Sequence, residues 1–190
     1  MHTRILLTTA LLAAAIMQPS PSPSPSIATP TTPRPQDSAT PSHRTKRNST
    51  RALAQPSLTI TVPTTTNLGT ASAGSTHSAQ LGTVTVTGSD APDWDVTVTA
   101  TALTTTGGTI STSDIAYWSE PATADTGNDA CHPGQKNTDD QVTLNTPRTA
   151  FSHTGSTNTE SCSWNPTLVI TVPTGAAAGH YTGTITHSVA

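Results

Sequence analysis

From residue 57 onward, apolar and polar residues take alternate places. Leu58, Ile60 and Val62 interleave with Thr59 and Thr61, and Val84 and Val86 with Thr83, Thr85 and Thr87. Trp94, Val96, Val98 and Ala100 interleave with Asp95, Thr97, Thr99 and Thr101. The run Leu168–Val172 and the set Tyr181, Ile185 and Val189 repeat the habit near the end of the chain. A period of two predicts strands apolar on one side only, the pattern of antiparallel sheets with one wet face. Shorter strands are expected at Ile115–Trp118 and Val142–Leu144. Gly and Pro punctuate these runs at short intervals, and no helix-period segment survives between them. The expected fold is all-β: an antiparallel two-sheet sandwich of immunoglobulin-like type with about seven to nine strands. A closed barrel is the alternative. LTITVPT at Leu58 and LVITVPT at Leu168 read as equivalent strands of the two sheets, each stopped by a Pro.

The first 56 residues lack this alternation. Arg4 followed by the apolar run Ile5–Met17 has the form of an export signal, and thirteen residues are too few to span a bilayer. The signal is assigned to residues 1–26, with cleavage between Met17 and Ala28. Residues 27–56 are rich in Pro, Ser and Thr and read as an extended linker carrying the cations Arg44, Lys46, Arg47 and Arg51. Arg44–Arg47 resembles a basic processing site, and Asn48-Ser49-Thr50 fits the glycosylation pattern. Residues 57–190 are left as the folded domain.

Composition sharpens the division. All six aromatic residues follow residue 57, so only the second part can build a core. That part holds ten acids against two bases, Lys136 and Arg148, a net −8 that the whole-chain value of −3 conceals. Such a charge opposes nucleic-acid binding, where phosphate contacts dominate affinity. The 42 Thr residues fall largely on the polar side of the strands, which makes the domain surface mostly neutral hydroxyl.

Cys131 and Cys162, the two cysteines, are expected to form a disulfide in an exported chain. His77, His132, His153, His180 and His187 share no metal-ligand spacing, with His180 and His187 on opposite faces of one strand, so no metal or cofactor is expected. No nucleophile motif is present, and no catalytic residue is assigned. Binding chemistry therefore falls to the aromatics. Trp94 and Trp164 each lead a strand and suit a core role better than a ligand role. Tyr117 and Trp118 are adjacent on a strand, so one should face outward, where a ring could stack on a sugar or another protein.

The residues Trp94-Asp95-Val96, Trp164-Asn165-Pro166-Thr167-Leu168 and the closing strand opened by Tyr181 resemble, in divergent form, the WxL-type surface domains of Gram-positive bacteria. The resemblance implies a secreted β-sandwich, extracellular or wall-associated, that binds peptidoglycan or cell-wall polysaccharide non-covalently and without enzymatic activity. It makes Trp94, Val96, Trp164, Leu168 and Tyr181 the motif residues. The competing expectation is a structural or adhesive subunit that binds other surface proteins, with a secreted hydrolase as the remaining class.

Overall fold

In a computed structural model, residues 4–15, 56–91, 93–126, 130–155 and 159–190 are described, the strand 4–15 by its backbone alone. The 27–56 linker, the Met17–Ala28 cleavage region, the basic processing site and Asn48 lie outside them, apart from Pro56.

The chain forms an all-β sandwich of three sheets. The large sheet runs β11 (Ala130–Pro133), β13 (Arg148–Thr154), β6 (Trp94–Ala100), β16 (Gly179–Val189), β1 (Arg4–Ala15), β3 (Thr65–Ser72). The hairpin β7 (Leu103–Thr105) and β8 (Gly108–Ile110) joins it through β16. A second sheet has the order β10 (Ala124–Thr126), β14 (Glu160–Trp164), β5 (Val84–Ser89), β2 (Ser57–Thr61). The third has the order β12 (Val142–Thr143), β9 (Ile115–Trp118), β15 (Thr167–Thr171), β4 (Thr76–Gln80). Every pairing is antiparallel except that of β1 with β16.

The strand count corrects the expected seven to nine, because sixteen strands stand among the described residues. The additional ones are short or lack apolar alternation: β3 is TTNLGTAS and β4 is THSAQ, each with few large apolar side chains. β2 and β15, the near-repeat pair, do lie in different sheets and end at Thr61 and Thr171, two residues before Pro63 and Pro173. The run expected to be an export signal is paired as β1 through residues 5–15.

The inward faces of the sheets share one apolar core. Val84, Val86, Val96, Val98, Ile115, Phe151, Trp164, Leu168 and Ile185 are all fully buried in it. Two covalent or local devices hold its rim. The disulfide Cys131–Cys162, with Cα atoms 6.0 Å apart, ties β11 at the border of the large sheet to β14 of the second sheet. Closing a loop of 31 residues contributes about 3–4 kcal/mol on the chain-entropy account.

At the other device, the Tyr181 hydroxyl donates to the Ala177 carbonyl at 3.1 Å, pinning the turn that enters β16. Gly108 makes room for it, since a Cβ there would stand 2.8 Å from that oxygen. Tyr181→Phe keeps the ring but removes the bond, and is expected to lower unfolding free energy by about 1 kcal/mol in chemical denaturation. A loss under a few tenths of a kcal/mol would mean that this bond does not support the fold.

Candidate binding surface

The motif residues come together, but inside. Trp94 at the start of β6 is 3% exposed, and Val96, Trp164, Leu168 and Tyr181 are fully buried. Trp164 stacks on Phe151 with ring centroids 4.5 Å apart and an interplanar angle of 17°. Its indole N–H donates to the Tyr117 hydroxyl at 3.4 Å. An indole nitrogen can only donate, so the Tyr117 oxygen accepts there and has its own hydrogen for His187 Nε2, 3.1 Å away. Burial drives the Tyr117 phenol well above its ordinary range, with the Trp164 bond acting the other way, and pushes His187 down to about 4. Both groups are neutral at physiological pH.

This places Tyr117 in the core and corrects its candidacy as a ligand-facing ring. The reason is the pleat: on β9, Ile115 and Tyr117 turn inward, whereas Ala116 and Trp118 turn outward. Trp118 is half-buried and is the indole that retains surface.

Around Trp94 lies a second buried group that sequence reasoning missed. The His153 ring stacks on Trp94 at 5.2 Å and 9°, and His153 Nε2 lies 2.5 Å from Glu160 Oε2. The side chains are 2% and 4% exposed, so an imidazole and a carboxylate stand together without access to solvent or substrate. The sequence did carry a signal for this, since Glu160 shares its alternation with Cys162 and Trp164, both inward residues of β14. Among the described residues, no group of three or more His, Cys, Asp or Glu side chains is placed to hold a metal ion. None of their helices is long and apolar enough to cross a membrane.

What remains outward around Trp118 is a neutral face. Residues directly opposite one another in a ladder point the same way. Trp118 is opposite Thr167, which is opposite Gln80; Ala116 is opposite Val169, which is opposite Ser78, and Thr143 of β12 extends the second row. The four strands span roughly 14 Å at ordinary strand spacing. One acid flanks the patch: Glu120, at φ 64°, follows β9 and accepts a 2.5 Å hydrogen bond from the Thr167 hydroxyl. That bond, with Trp118 alongside, leaves Thr167 only 8% exposed although it lies on the outward side. The patch thus offers one indole with hydroxyls, an amide and small apolar groups beside it, while the acids Asp93 and Asp95 project from β6 and its entry turn in the large sheet.

Comparison of the chain with protein-family models and with curated proteins finds no match.

Proposed function

We propose that this chain is an exported, non-enzymatic surface protein whose sandwich associates non-covalently with the bacterial cell wall, through the glycan of peptidoglycan or another wall polysaccharide. The observation that carries the reading is Trp118: a half-buried indole on an outward sheet face of neutral hydroxyls, where a sugar ring can stack while its hydroxyls exchange hydrogen bonds with Ser, Thr and Gln side chains. The resemblance of the Trp94, Trp164 and Tyr181 segments to WxL-type domains supports the same reading. Burial of those residues supports a role in holding the fold, and the β9–β15 face is the surface to which this reading gives the contact.

The acidic domain is repelled by anionic wall polymers, so a contact made by hydroxyls and an indole should be nearly independent of salt. In sedimentation with purified walls, Trp118→Ala in the full chain is expected to weaken retention roughly 5- to 10-fold, the worth of one aromatic contact. Retention unchanged by the substitution, or abolished by salt for the native chain, would instead assign wall contact to the cationic stretch Arg44–Arg51.

A further inference from the structure

The apolar leader is seated between two strands of the large sheet. Ile5–Ala15 runs parallel to Gly179–Val189 of β16 over eleven register pairs, and antiparallel to β3 over seven. Leu7, Leu11 and Ala15 take the register positions opposite Tyr181, Ile185 and Val189, the buried residues of β16. Among the described residues β1 is the only ladder partner of β3.

If export removes the leader, one border of β16 loses its partner and β3 loses its whole ladder. β3 nevertheless has anchors of its own. Leu68 is buried and its carbonyl oxygen is bonded to His77 Nε2 on β4, while the Thr66 hydroxyl donates to the Leu81 carbonyl at 2.6 Å. The bulge that interrupts pairing at Leu7/Thr8 is also built within β3: Asn67 Oδ1 accepts from the Gly69 N–H at 2.9 Å, and Gly69 has φ 92°. The two walls are thus held by different sheets, with one strand's width between them.

We propose that, in the processed chain, the gap between β3 and β16 is a strand-acceptor site, filled by a Pro-free aliphatic segment of seven to eleven residues from another polypeptide, running parallel to β16. The proposal rests on the export reading. The occupant's chemistry follows from the sequence seated there, ILLTTALLAAA, with apolar residues opposite the buried row and backbone N–H groups free for both neighbours. A second copy of this chain is a poor donor: its segment 18–56 contains nine Pro, which cannot donate to a ladder, and its longest Pro-free run holds four cations. Its other strands are used in its own sheets.

The test takes the chain secreted by an exporting host, establishes its N-terminus by intact mass, and follows residue-resolved amide exchange by NMR. With the leader absent, the amides of Ile185–Val189 that face the gap are expected to exchange roughly 10-fold or more faster than the alternate ones that face β6. A synthetic peptide of Arg4–Ala15 should restore their protection by a similar factor, and the same peptide carrying Leu7→Pro and Leu11→Pro should not. Protection without peptide would show that β3 has closed onto β16, and absence of any peptide effect would show that the gap takes no strand; either result overturns the proposal. A mass that retains the leader also overturns it, through failure of the export reading, since the gap is then filled by the chain itself.

Discussion

Trp164→Ala is expected to lower unfolding free energy by about 3–5 kcal/mol, a large part of the stability of a domain of this size. The substitution removes a fully buried indole, and with it the stack on Phe151 and the edge contact to His187 at 6.4 Å. It also takes away the N–H that the Tyr117 oxygen accepts from, inside a region where nothing replaces it but a cavity. Around Trp164 the second sheet packs against both others, because Phe151 belongs to β13 and Tyr117 to β9, so relaxation into the hole would require two sheets to move together. The measurement is the denaturant midpoint of the full chain with its disulfide intact. Trp118→Ala is the internal contrast, expected to cost no more than about 1 kcal/mol because that ring is already partly in water. A Trp164→Ala protein of native stability with lost wall binding would reverse the assignment and make Trp164 a contact residue.

The contrast between these tryptophans also shows how far the chain could be read before its structure. β5, β6, β15 and the apolar half of β16 stand out because large inward residues alternate with Thr, and the burial patterns follow that alternation. β13 hides because Ala150 and Phe151 are both buried in succession, a register shift against β6 that breaks the period of two. β14 hides because one of its three inward residues is Glu160, whose burial depends on His153 seven positions earlier and on another strand. The run Ile5–Met17 is ambiguous by nature: a short apolar run has the same appearance as an export signal and as a central strand. At the candidate surface, the alternation of β9 required one of Tyr117 and Trp118 to face outward. Which one was not legible, since the choice depends on Leu168 and Thr167 opposite them and on the distant His187 and Trp164 that hydrogen-bond the Tyr117 hydroxyl.

That same His187 makes fold stability pH-dependent. Its folded pKa of about 4 lies below the ordinary value near 6.5, because burial disfavours the imidazolium. In the neutral state Nε2 accepts from Tyr117, while Nδ1 has no partner among the described residues. A second proton would go to Nε2, ending the bond that it accepts from Tyr117 and placing a charge in the core. Between pH 6.5 and 4 the unfolded chain therefore binds more protons at this site than the folded one. The contribution is complete above pH 6.5 and is lost as pH falls through that window. A difference of about 2.5 pH units corresponds to about 3 kcal/mol lost by pH 4. His187→Phe retains a buried ring and removes the titration, leaving the Tyr117 hydroxyl with its Trp164 donor but without an acceptor, at a cost of about 1 kcal/mol at pH 7. Unfolding free energies measured from pH 7.5 to 4 should fall for both proteins, since carboxylates titrate in each, but more steeply for the native chain, so that the gap between them narrows and then inverts on acidification. Parallel curves for the two proteins would show that His187 takes up its proton in the folded state as readily as in the unfolded one.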